Sequence, residues 1–376
     1  MNWPLAVILA TCVQSILVIQ LFVEETSRRF GLDEDWLGIL AASETGAAAL
    51  TSLLVFLRPQ LWKRNALVIA GFALLLGNFG CLFATTVDEL QLARTIMGAS
   101  AGVICSWAYR QALMCDDSAK AQGTALMLQS LLLVISFIVV PRVAHFIDGA
   151  VFWMCGFWFA LMIIALMKVD THFQSTSQST PTSKVSRRWL PSLAFFVGVV
   201  AMYASHGSFD TFIAELGTQA GVGLIDIGNA MVAACAIGIP AGALATGIGA
   251  RLGIMKPIWL AIGAMLIAIL MLTSYALTTV LFWIVAVAYN FGWVLAFPFI
   301  ILAADYLKDG GRMASGILMM QALGMALGAL LAGYIAEMHS ITYALGLLVP
   351  ICIGLSALSF YVVSRKKEAQ SIPAAN

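Results

Sequence analysis

Lys168-Val-Asp-Thr-His-Phe-Gln-Ser-Thr-Ser-Gln-Ser-Thr-Pro-Thr-Ser-Lys-Val-Ser-Arg-Arg188 is the longest polar stretch of the chain. Its Ser, Thr and Gln content has the composition of a flexible linker. What surrounds it decides the fold. On both sides lie apolar runs, each close to the roughly 20 residues that a helix needs to cross a bilayer. Twelve such runs can be marked, at 4–23, 36–57, 65–84, 90–112, 121–143, 150–168, 189–209, 223–249, 255–276, 279–303, 313–336 and 340–363. The polar stretch falls between the sixth and the seventh. The expectation is an all-α integral membrane protein of 12 transmembrane helices. An N-terminal six-helix bundle spans 1–168, a cytoplasmic linker 169–188 and a C-terminal six-helix bundle 189–376.

Composition agrees. Hydrophobic residues make up 61% of the 376 and charged residues only 10%, with a mean hydropathy of +0.95. A soluble domain carries about 25% charged residues, so soluble enzymes and disordered tails are excluded. The net charge of +1 gives no footing for nucleic acid, because the basic residues are scattered among apolar runs. Cys12, Cys81, Cys105, Cys115, Cys155, Cys235 and Cys352 form no CxxC pair and read as small apolar fillers. No metal and no cofactor is expected. The first run lacks a basic n-region and a small-residue cleavage site, so it reads as a retained span rather than a signal peptide.

Lysine and arginine set the orientation. With the N-terminus inside, the inner segments hold Arg58, Lys63, Arg64, Arg110, Lys120, Lys168, Lys184, Arg187, Arg188, Arg251, Lys256, Lys308, Arg312, Arg365, Lys366 and Lys367, sixteen of the 20 basic residues. Outside remain Arg28, Arg29 and Arg142, beside the acidic Glu24, Glu25, Asp33, Glu34, Asp35, Asp88 and Glu89. Both termini and the linker are therefore expected in the cytoplasm, and the membrane to be a bacterial inner membrane.

A constant offset of 192 relates the two halves. It pairs Gly46 with Gly238, Gly71 with Gly263, Arg64 with Lys256, Lys120 with Arg312, Gln129 with Gln321, and Gln14 with His206. Parallel six-helix repeats about an axis along the membrane normal build one transporter architecture.

Two motifs then carry a resemblance. Gly242-Ala-Leu-Ala-Thr-Gly-Ile-Gly-Ala250-Arg251-Leu-Gly253-Ile-Met-Lys256 resembles the loop signature of the major facilitator superfamily, with Ala250 where an aspartate is expected. Arg94-Thr-Ile-Met-Gly98-Ala-Ser-Ala-Gly102 is similar to that family's arginine motif in helix 4. The resemblance implies a secondary active transporter whose two bundles rock about a central site. Its implied cargo is a small organic solute, anionic if Arg94 takes part in binding.

The alternative is an exporter of amphipathic metabolites or drugs. Helix 5, Leu-Leu-Leu-Val-Ile-Ser-Phe-Ile-Val-Val-Pro141, lacks the glycine-proline motif of the family's drug antiporters and counts against that alternative. A membrane-embedded enzyme would need a Ser/His, paired Asp or HExxH constellation, which the sequence does not contain. The expected partners are a small-molecule substrate, protons and membrane lipid, with the chain a monomer.

An ionisable group inside the bilayer normally faces a cavity or a partner. Glu44 lies eight residues into the second span, roughly 12 Å below its outer end, and Arg94 sits at comparable depth in the fourth. They are expected to pair and to take part in proton or anion exchange. Gln14 lies at mid-membrane with Thr11 and Ser15 on the same helical face. His206, late in the seventh span within Tyr203-Ala-Ser-His206-Gly-Ser-Phe-Asp210, has the neutral titration range of a proton site. Tyr289, Asn290 and Trp293 fall near mid-depth of the tenth span, and Gln129 and Gln321 near the inner side of the fifth and eleventh. Arg251, Gly253, Lys256, Asp305 and Arg312 are expected to form an inner gate of charge pairs. Gly98 with Gly102, and Gly324 with Gly328, are spaced for close helix packing.

Overall fold

The computed structural model describes residues 3–58, 62–113, 118–169, 189–237, 255–305 and 312–371. Their first-half helices are α1 (Trp3–Thr11), α2 (Gln14–Leu17), α3 (Ile19–Phe30), α4 (Glu34–Leu57), α5 (Arg64–Phe83), α6 (Val87–Leu113), α7 (Ser118–Val143) and α8 (Ala150–Lys168). The second half supplies α9 (Trp189–Gln219), α10 (Leu224–Ala236), α11 (Met255–Ser274), α12 (Thr279–Asp305), α13 (Arg312–Met338) and α14 (Ile341–Ser371). Eight helices among the described residues are long and apolar enough to cross a membrane. The remaining expected spans fall on α1–α3, α6, α7 and α10, and residues 238–254 of the eighth lie outside the described residues.

The helices are apolar on every side because one face meets protein and the other meets lipid. On α5, Leu67, Gly71, Leu74, Asn78 and Cys81 are buried at helical spacing. Ile69, Phe72, Leu76 and Phe83 on the opposite side are exposed. The repeat offset extends to helix ends: adding 192 to Val87 and Leu113, the ends of α6, gives 279 and 305, the ends of α12.

Two boundaries differ from expectation. The first span is broken into α1, α2 and α3, and α3 runs on beyond it to Phe30, where Gly31 turns left-handed at φ 60° and its N–H caps Ser27 O. The seventh was expected to stop at 209, before the charge of Asp210. Instead α9 continues to Gln219, because that carboxylate is buried against partners inside the protein.

One end of the molecule gathers the acidic loops. Arg29 donates to Leu82 O at 3.0 Å, the Gly149 N–H to Glu25 at 3.2 Å, and Gln219 Nε2 to Glu34 at 3.3 Å. At this acidic end the two halves of the chain meet. A Cβ on Gly38 would lie 2.6 Å from Ala329 O, and one on Gly333 would lie 2.7 Å from Glu34 O, so α4 and α13 touch backbone to backbone. Gly228 of α10 packs on Phe137 O of α7, and Arg142 donates to Asn229 Oδ1 at 2.9 Å.

Candidate functional site

The break in the first span centres on Gln14. Its Nε2 donates to Ala10 O at 2.8 Å, the carbonyl that a continuous helix would pair with the backbone N–H of residue 14. Gln14 is fully buried, and its Oε1 has no hydrogen-bond partner. One residue on, the Ser15 hydroxyl donates to Glu44 Oε1. Glu44 in turn forms an ion pair with Arg94, and neither side chain is exposed. The approach of α6 to α4 that makes this pair possible depends on Gly98, whose Cα lies against the backbone of Glu44. The Arg94 guanidinium also rests on the Phe22 ring, 3.6 Å from its centroid. Its Nε and Nη1 donors have no hydrogen-bond partner.

The second half carries its own polar group on α9. His206 Nε2 lies 3.0 Å from Asp210 Oδ2, one helical turn away, and both residues are buried. The imidazole stacks on Trp293 of α12 at 4.2 Å with 14° between the planes. Tyr203 stands edge-on to Trp293 at 6.1 Å, and its hydroxyl accepts a hydrogen bond from Gln321 Nε2 of α13. The Tyr289 hydroxyl donates to Ser205 Oγ at 3.2 Å. The buried Gln20 of α3 lies close to Asp210 across the junction between the halves, and Asp210 Oδ1 has no hydrogen-bond partner.

The expected residues thus fall into two groups. Glu44 and Arg94 come together with Ser15, while Tyr203, His206, Asp210, Tyr289, Trp293 and Gln321 form the second group. Asn290 joins neither through its amide nitrogen, since Nδ2 donates to Ala286 O of its own helix at 3.0 Å. Gln129 is half-buried on α7. Of the expected inner gate, Arg251 and Gly253 lie outside the described residues. Lys256 is exposed in the first turn of α11, and Asp305 and Arg312 end α12 and begin α13. Among the described residues no group of three His, Cys, Asp or Glu side chains is placed to hold a metal ion. Gln20 and Phe22 were not picked out from the sequence. A glutamine six residues after Gln14 in an apolar run was the available signal for the first, and for Phe22 there was none.

The fold has known relatives. Over 97% of this chain and 98% of the other, it superimposes on a point mutant of the nucleoside transporter NupG with a TM-score of 0.74 at 14% identity. A bacterial homologue of the human lysosomal transporter Spinster, inward-facing and occupied, matches over 100% of this chain and 98% of its own with a TM-score of 0.72 at 13% identity. No curated protein sequence matches. The sequence profile of the Major Facilitator Superfamily matches residues 5–308. The chain therefore belongs to the major facilitator superfamily and is a multi-pass membrane transporter rather than an enzyme.

Proposed function

We propose that the protein moves a small organic solute by alternating access, coupled to protons through Asp210 and His206. One observation carries this reading: Asp210 of the second half is buried beside His206 on its own helix and near Gln20 of the first half. Rocking the halves apart at the acidic end removes Gln20 and leaves the carboxylate with His206 alone. A carboxylate that loses a nearby amide donor while it stays out of water favours its protonated form. Motion and proton uptake are thereby linked. The Glu44–Arg94 pair lies within one half, so rigid-body rocking leaves it intact, and it serves as an anchor for Ser15 beside the broken first span.

The side chains around the second group suit an uncharged solute with a flat ring. Tyr203, Tyr289 and Trp293 offer aromatic surface, and Gln321 offers an amide. An anionic solute is less well served, because the Arg94 charge is neutralised by Glu44. A nucleoside, the solute class of one protein of like fold, carries such a flat uncharged ring.

In this reading 1–168 and 189–376 are the rocking bundles, with the linker and both termini cytoplasmic and the acidic end outside. Closure at the acidic end then corresponds to an inward-facing state. The orientation is tested by cysteine labelling with an impermeant reagent: Asp33→Cys should react from outside and Lys63→Cys only after the membrane is opened. The coupling is tested in proteoliposomes with a panel of nucleosides. Asp210→Asn should lose accumulation driven by a pH gradient while keeping exchange between equilibrated compartments. Gradient-driven accumulation at the parent level in Asp210→Asn would refute coupling at this site.

A further inference from the structure

At the acidic end a pocket of about 270 Å³ is lined by Arg28, Arg29, Leu82, Asp148 and Gly149. Both arginines are on the side of the molecule that holds few basic residues, so topogenic charge does not account for them. The pocket wall is fixed from behind. Buried Glu25 binds Arg28 Nη2 at 2.7 Å and accepts the Gly149 N–H at 3.2 Å. Gly149 itself sits at φ +67°, a conformation that side chains disfavour, and a Cβ there would collide with Leu82. Arg29 donates to Cys81 O, Leu82 O and Ala84 O, at the C-terminal end of α5. These carbonyls orient the guanidinium without cancelling its charge. Among the described residues no carboxylate pairs with Arg29. Asp148 is exposed and close enough to Arg28 to interact with it electrostatically.

The setting is the membrane boundary. Phe83 follows Leu82, and Phe146 and Ile147 precede Asp148; all three are large, apolar and exposed. Aromatic residues and arginines at the ends of spanning helices sit at headgroup level. We propose that this pocket binds the headgroup of a zwitterionic phospholipid, its phosphate on Arg28 and Arg29 and its ammonium on Asp148, with the acyl chains along Phe83, Phe146 and Ile147. Guanidinium groups match phosphate oxygens in charge and geometry. Asp148 supplies the discrimination, since an anionic headgroup without an ammonium would meet a like charge there.

The test is native mass spectrometry and thermal unfolding of the purified full chain in detergent, with phosphatidylethanolamine or phosphatidylglycerol added. Phosphatidylethanolamine should be retained with a roughly two- to fivefold preference, the ratio expected of one exposed ion pair, and should raise the melting temperature more. Asp148→Asn should erase the preference and Asp148→Arg should reverse it. Asp148 is a surface side chain, so these variants probe selectivity without disturbing the Glu25 knot. Equal retention of the two lipids by the parent, or a preference unchanged in Asp148→Arg, overturns the proposal. Soluble phosphoethanolamine is the control for source: a melting shift equal to that of the lipid at the same concentration overturns the assignment to lipid.

Discussion

Arg94 is among the largest fully buried side chains of the protein, and its charge is compensated inside the membrane by Glu44. Removing one member of a buried ion pair leaves the other charge uncompensated, which costs about 3–5 kcal/mol, whereas replacing both by apolar groups is often neutral. Glu44→Gln should therefore lower the unfolding free energy by roughly that amount, and Glu44→Gln combined with Arg94→Met should recover most of it. Unfolding in detergent measures both. A single variant as stable as the parent would mean that Arg94 finds another partner. That this acid and base would meet was legible in the sequence, because no other acidic or basic side chain lies so deep in the first half. Phe22 under the guanidinium was not legible, since an aromatic residue in an apolar run looks the same whether it packs on lipid, on a helix or on a cation.

The all-helical architecture and most helix ends followed from hydropathy, because the bilayer asks a similar length of every span. The exceptions are informative. The first span carries Gln14, Ser15 and Gln20, has no glycine and has its one proline, Pro4, at its start, so nothing local announces its breaks; the first of them coincides with the side-chain bond from Gln14 to Ala10 O. The expected end of the seventh at 209 falls short because sequence alone does not show that Asp210 is buried beside His206 and near Gln20. The contact of α4 with α13 was equally hidden, since Gly38 and Gly333 were among many glycines. It makes a definite prediction. Gly38→Leu cannot be accommodated against Ala329 O and the Gly333 backbone, so the acidic end should be held open. In a variant otherwise free of cysteine, Thr211→Cys is buried on α9 and should react slowly with an impermeant maleimide. Adding Gly38→Leu should speed that reaction several-fold. An unchanged rate would show that the glycine contact does not govern closure.

At the scale of the whole molecule, closure also brings like charges together. Glu24, just beyond the first span, is pushed up to about 6 from 4.5, first by burial, with Glu25 on its own helix and Glu215 on α9 adding to the shift and Arg28 opposing it. Glu24 and Glu215 belong to different halves, so the α9 contribution exists only while the halves are closed at the acidic end. The sign follows from the raised value. Well below 4.5 Glu24 is protonated in open and closed states alike, and closure carries no penalty from it. As pH rises through the window from 4.5 to about 6, the open state, which lacks the Glu215 contribution, gives up its proton first, and closure becomes less favourable by that part of the shift. Labelling of Thr211→Cys should therefore quicken across that window and level off above it, once corrected for thiol ionisation with an exposed control, Ser340→Cys. Glu24→Gln should flatten the profile at the slow, closed limit, because the neutral amide mimics the protonated acid. If the labelling rate of the parent, so corrected, is constant from pH 4.5 to 6, Glu24 does not report closure, and the glycine contact and the hydrogen bond from Gln219 to Glu34 hold this end together whatever the charge on Glu24.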